Sequence, residues 1–171
     1  MTKIAILVDD LFDEREFIYP FYRFLEEGYN VLVAGKEKKE YTSKHGFCVK
    51  TQLKISQVKL NMIDAVFIPG GYAPEKLRND KNVLDLIVKC DGANKPIGAI
   101  CHGPLVLVAA GILKNRKATG YHTIKKEMIN SGVFYTGVPV EIDKNVVTGS
   151  GPSALPEFMK AFLKTIAIRT Q

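Results

Sequence analysis

Apolar residues along this chain gather in short unbroken runs. Between the runs lie longer stretches in which they recur every three or four positions. KIAILV (residues 3–8), NVLVA (30–34), DAVFIP (64–69) and the segment 96–100 read as strands, and the unbroken ones as strands buried on both faces. Residues 14–27 place Phe17, Ile18, Phe21, Phe24 and Leu25 at helical spacing before Gly28, a plausible C-terminal stop. Pro20 falls inside that stretch and predicts a kink or a late start. Further helices are expected over 81–90, 104–110, 123–130 and 156–170. The polar segment 36–54 reads as a hairpin excursion. Two short strands, 138–142 and 146–148, flank a turn at Asp143, Lys144 and Asn145, and 149–152 is a loop. Apolar strands alternating with helices argue for an α/β sandwich with a mostly parallel sheet. No repeat, linker or low-complexity segment divides the chain, so residues 1–171 are expected to form one domain.

Composition narrows the class of protein. Hydrophobic residues make up 46% and charged residues 25%, with a net charge of +6, ordinary for a globular chain. The basic residues are scattered and form no long run, so a solvated surface is expected, and no nucleic-acid partner. No apolar stretch is long enough to span a bilayer, and the opening MTKIAILVDD is too short an apolar run for a signal peptide. Three cysteines, Cys48, Cys90 and Cys101, without a C-x-x-C, suit a reducing cytoplasm better than a disulfide framework. Cys48 and Cys90 read as structural. His45, His102 and His122 lack metal-ligand spacing, so neither a metal nor a cofactor is expected.

Cys101 differs from the other two. It ends the strand at 97–100 and is followed by His102, Gly103, Pro104 and a helical run. Ala99-Ile100-Cys101-His102-Gly103 matches the nucleophile elbow G-x-S-x-G, with Ala for the first Gly and Cys for Ser. In open α/β sheets ligands sit beyond the carboxyl ends of the strands, where this cysteine falls. The amides opening the next helix favour thiolate over thiol, and the His102 amide is one oxyanion donor. FIPGGYAPEKLR (67–78) follows another strand, and Gly70 and Gly71 allow its backbone to present a second.

AICHGP together with PGGYAPEKLR, in this order and spacing, resembles the ThiJ/PfpI superfamily, most closely its PfpI-type intracellular cysteine proteases. The resemblance extends to EFIYPFYRFLEEGYNV (16–31), KHG (44–46) and the final helix. It implies a flavodoxin-like three-layer sandwich and a homo-oligomer, from dimer to hexamer. It also implies Cys101 as nucleophile, His102 as its partner, Gly71 in the oxyanion hole, and Gly70 and Tyr121 at the substrate pocket. Glu75 would reach a neighbouring subunit and orient the histidine there. The family's glutamate after the first strand, whose protonated carboxyl touches the sulfur, counts back to Asp13, with Glu14 next to it. Many relatives carry an arginine where Ser150 stands and an acidic residue near Ala154; this chain lacks both.

Three functions compete. In the main reading a cysteine hydrolase acts on peptides, with Cys101 attacking, His102 moving protons and Glu75 from another copy orienting the imidazole. The alternative is a cofactor-free glyoxalase or deglycase in which Cys101 adds to methylglyoxal or its adducts, and His102 or a carboxyl at Asp13 or Glu14 moves a proton between carbons. The third is a redox-sensing or chaperone-like stress protein built on an oxidisable Cys101. A glutamine amidotransferase is disfavoured, because His122, the one later histidine, has Ile at position 124 where His-x-Glu is needed.

Overall fold

Alternation along the strands decides the layers. The computed structural model describes residues 1–169. The chain runs β1 (Lys3–Leu7), α1 (Glu14–Glu26), β2 (Asn30–Gly35), β3 (Glu40–Thr42), β4 (Cys48–Lys50), β5 (Leu53–Lys54), β6 (Ala65–Ile68), α2 (Ala73–Leu77) and α3 (Lys81–Gly92). It continues through β7 (Ile97–Ile100), α4 (Pro104–Ala109), β8 (Lys117–Ala118), α5 (Lys125–Asn130), β9 (Phe134–Tyr135), β10 (Val140–Asp143), β11 (Val146–Gly149) and α6 (Leu155–Arg169). Ile4 and Ile6 of β1 and Phe67 of β6 point to one face, where Phe17 and Phe24 of α1 and Phe158 and Phe162 of α6 cover them. Ala5 and Leu7, with Val66 and Ile68, point to the other, under Val83 and Ile87 of α3, Leu105 of α4 and Met128 of α5. Period-two burial on both faces produces helix, sheet, helix: the α/β sandwich the pattern implied, in the three-layer flavodoxin-like form that the resemblance implied.

The central sheet has seven strands in the order β10-β11-β7-β6-β1-β2-β5. All neighbours are parallel except β10, which pairs antiparallel with β11. The order reverses at β1 and β6, and at such a switch point the strand ends part to leave a crevice. The strand-end loops after β1, β6 and β7 meet there. Two small pairs lie outside the sheet: β3 with β4 antiparallel, and β8 with β9 parallel.

The elements differ from the sequence expectation in a few places. α1 starts at Glu14 and runs through Pro20 without the late start anticipated. Proline removes one helical hydrogen bond, but Glu16, Phe17, Pro20 and Phe24 are all buried, and packing of that face outweighs the lost bond. Asp13 caps the helix by accepting from the Arg15 N–H. The pairs β8/β9 and the five-residue α2 were not anticipated, being too short to show a period. The last helix begins at Leu155, and position 170 of its expected span lies outside the described residues. Among the described residues no helix is long and apolar enough to cross a membrane.

Candidate active site

Cys101 has φ +60°, a left-handed conformation that costs a residue with a side chain about 1–2 kcal/mol. The surroundings enforce it. Its N–H donates to Gly149 O (2.9 Å), its carbonyl accepts from the Tyr121 N–H (2.9 Å), and the Gly103 N–H donates to Ile100 O (2.8 Å). A Cβ at Gly103 would come within 2.7 Å of Ile68 O, so only glycine closes this turn. The strain lifts the thiol out of the sheet, yet Cys101 is only 7% exposed, at the floor of a cavity of about 430 Å³.

The loop after β6 wraps the sulfur from the other side. Gly71 has φ +82° and forms an isolated bridge with Phe12; a Cβ there would sit 2.5 Å from Leu11 O and Asp13 N. The amides of Gly71 and His102 both point to the Cys101 sulfur. Two converging N–H groups are what an oxyanion forming on a carbon bonded to that sulfur needs. Gly70 lies between two reacting groups: a Cβ there would fall 2.6 Å from Cys101 Cβ and 2.4 Å from Glu16 Oε2.

That second group corrects the sequence expectation. The carboxyl beside the sulfur belongs to Glu16, not to Asp13 or Glu14. Glu16 Oε2 accepts from the Gly70 N–H at 2.7 Å, its Oε1 is buried without a conventional partner, and the side chain makes its soft contact with the Cys101 thiol. Burial first, and the charge of Asp13 second, push the Glu16 carboxyl up to about 8, so it holds its proton at neutral pH. Asp13 is spent on capping α1 and on ion pairs with Arg15 (2.8 Å) and Lys44 (3.6 Å). Burial acts to raise its carboxyl, but those two cations outweigh it and hold it below the ordinary range. Glu14 pairs with His45. One turn separates the expected position from the real one: the loop after β1 runs on to Asp13, and the acid enters from the buried face of α1.

The expectation of a resting thiolate is corrected too. Burial, then the Glu16 carboxylate, push the Cys101 thiol up to about 12, against the lowering effect of the Gly71 and His102 amides. The second of these causes vanishes while Glu16 is protonated, but desolvation remains. α4 has six residues, too short for its dipole to prevail. Sulfur and imidazole therefore meet as neutral groups: His102 Nδ1 lies 3.3 Å from Cys101 Sγ, and burial pushes the imidazole below its ordinary value, with Glu75 acting against that shift. The other ring nitrogen, Nε2, lies 3.2 Å from the Thr123 hydroxyl. Sequence reasoning missed Thr123, which lies 21 residues downstream with nothing local to mark it. Tyr121 flanks the imidazole at 5.4 Å between ring centroids and lines the cavity.

Glu75 stands on α2 with its side chain 53% exposed, 3.5 Å from Arg78, and no hydrogen bond joins it to His102 among the described residues. Ser150 donates its N–H to Pro139 O. Among the described residues no three His, Cys, Asp or Glu side chains gather as a metal site requires.

A thiol raised on a strained elbow between converging amides is equipment for covalent catalysis through sulfur. Residues 2–165 match the DJ-1/PfpI family, and the chain belongs to it. It is 40% identical to the deglycase PfpI of Pyrococcus furiosus over 164 residues, 96% of this chain and 99% of that one. It is 39% identical to YraA of Bacillus subtilis, whose name assigns it provisionally to the cysteine proteases, over 96% of this chain and 98% of that one. The fold superposes with a TM-score of 0.95 at 31% identity on a two-domain protein of Anabaena variabilis with DJ-1/ThiJ/PfpI-like and ferritin-like domains. That match covers 98% of this chain and 48% of the other. The protein is an enzyme of the hydrolase or deglycase type that these relatives represent.

Proposed function

We propose that the protein is a cofactor-free glyoxalase or deglycase acting on methylglyoxal and its adducts through Cys101. The observation that carries this reading is the buried Glu16 carboxyl, held by the Gly70 N–H beside the Cys101 thiol and across from the His102 imidazole, where burial favours the neutral form of all three groups. Peptide hydrolysis by cysteine needs a thiolate ready to attack an unreactive amide. An aldehyde accepts a neutral thiol: the S–C bond forms, and the thiol proton passes to the former carbonyl oxygen, facing the Gly71 and His102 amides. His102 then takes the proton from that carbon, and the neighbouring carbonyl oxygen gains a proton from Glu16, giving an enediol. His102 returns its proton to the second carbon while the hydroxyl on the first gives its own to Glu16, which yields a thioester of lactate, and water cleaves this to lactate and free thiol. With an amine adduct as substrate, the amine leaves with a proton as sulfur takes its place. The balance needs water alone.

The same reading takes the protein as a homo-oligomer, dimer to hexamer, in which Glu75 of one copy reaches His102 of another. A carboxylate so placed would stabilise an imidazolium, and this supports the second reading, a peptide hydrolase with the triad Cys101, His102 and Glu75. The exposure of the Glu75 side chain favours it. Lactate formed from methylglyoxal by chelator-treated protein, with Cys101→Ser alongside, separates the two. Lactate from wild type and none from the variant is expected. Peptide cleavage without lactate would move the assignment to the hydrolase.

A further inference from the structure

The cavity over Cys101 holds far more than a three-carbon oxo aldehyde fills, at about 430 Å³. Part of its wall is cationic. Lys44 and Arg15 both line it, against one carboxylate, Asp13. Arg15 spends Nε and Nη2 on Asp13, at 3.0 and 2.8 Å, and its Nη1 makes no hydrogen bond among the described residues. Its side chain is 59% exposed. The Lys44 ammonium lies 3.6 Å from Asp13 Oδ2, beyond hydrogen-bond distance, and 5.7 Å from the centroid of the Tyr72 ring, another wall of the cavity. Its side chain is 28% exposed. Two cations and one carboxylate leave a net positive charge with unused donors. Asp13 and the Tyr72 ring both lie near the ammonium and limit the side-chain freedom lost when an anion binds. The charge is also felt at the reacting groups, for Lys44 is among the causes that lower the His102 imidazole.

We propose that Lys44 and Arg15 form an anion-accepting subsite, so that the preferred substrates are α-oxo aldehydes or adducts carrying a carboxylate a few bonds from the carbonyl pair. This rests on the glyoxalase reading and adds the class of substrate to it. The oxo aldehyde end meets Cys101, the amides and Glu16, and the anionic tail lies along the wall toward Lys44. A neutral tail leaves the ammonium only its long ion pair with Asp13; an anionic one completes charge-assisted hydrogen bonds. Lys44 is the specificity-determining residue, because Arg15 is already engaged twice by Asp13.

The probes are 4,5-dioxopentanoate and its methyl ester, which share a chain and an oxo aldehyde and differ in one charge. The acid would be converted to 2-hydroxyglutarate by the steps given for methylglyoxal. In wild type, kcat/KM is expected to favour the acid over the ester by about tenfold or more at low salt, shrinking as salt screens the subsite. In Lys44→Met the ratio is expected to fall to within about threefold of unity, and Lys44→Arg to restore part of it. Lys44→Met should fold, since the bond from the Lys44 N–H to Phe12 O (2.9 Å) is backbone; circular dichroism checks this. Turnover of both probes without discrimination, or discrimination that survives in Lys44→Met, overturns the subsite alone. No turnover of methylglyoxal or of either probe overturns the glyoxalase reading and the subsite with it.

Discussion

A carboxyl that keeps its proton to about pH 8 and an imidazole that loses its own below the ordinary range leave a window in which acid and base coexist at one sulfur. For methylglyoxal, kcat/KM is expected to be flat across that window. It should fall on the acid side as His102 gains a proton and on the alkaline side near pH 8 as Glu16 loses one. Glu16→Gln should abolish the alkaline limb and lower the plateau by on the order of 100-fold, while Glu14→Gln, whose carboxyl meets His45, stays within about twofold. An alkaline limb that survives in Glu16→Gln would assign it to another group. Stability carries the same signature. The folded pKa of Glu16 lies above the 4.5 of a free glutamate, so the folded state binds the extra proton between the two values. Its contribution is therefore complete below about pH 4.5 and lost as pH rises through about 8. Urea midpoints of wild type should decline across that interval more than those of Glu16→Gln; parallel curves would mean that the carboxyl is not buried as a neutral acid.

At the scale of elements, the site is three strand ends held in register by backbone that only glycine can supply. Gly71→Ala puts a side chain at φ +82° and a carbon 2.5 Å from the backbone of the loop after β1. The conformation alone costs about 1–2 kcal/mol, and the clash adds to it. A loss of at least 2 kcal/mol is expected, roughly 4–8 °C in Tm for a chain of this size. Lactate formation should fall with it, since the Gly71 amide moves. An unchanged melting curve would show the loop to be slack. How far the sequence reveals this site follows from the same geometry. Cys101, His102 and Gly103 are consecutive, so the elbow was legible as a string, as were the glycines after β6. Glu16 was not: counting back from EFIYP lands on Asp13, which caps α1, whereas the acid is the first residue of that motif, on the buried face of the helix. The available signal was periodicity. Glu16, Pro20 and Phe24 are spaced by four on one face, so a glutamate there is a charge aimed at the core and needs a reason.

The whole molecule raises one question a single chain leaves open, whether the site is completed by another copy. Glu75 stands on a short helix beside the elbow, half in solvent, and is coupled to His102 by charge alone. If its carboxylate meets an imidazole across an interface, one site draws residues from two chains, and two defective chains can repair each other. Cys101→Ser lacks the nucleophile and Glu75→Ala lacks the partner carboxylate. Each variant alone should show little activity. Mixed in equal amounts and allowed to exchange subunits, they should recover about a quarter of wild-type activity in the simplest case, a dimer: about half the dimers are mixed, and one of the two sites in each is intact. Recovery would grow with exchange time and stop if the subunits were crosslinked beforehand. Light scattering of wild type at the same concentrations gives the number of copies over which the statistics are taken. No recovery despite proven exchange would place Glu75 in its own chain's site or outside the chemistry altogether. His102 would then be oriented by Thr123 alone, a neutral hydroxyl that steers an imidazole without stabilising its charge, which suits proton shuttling on a small carbonyl better than attack on a peptide.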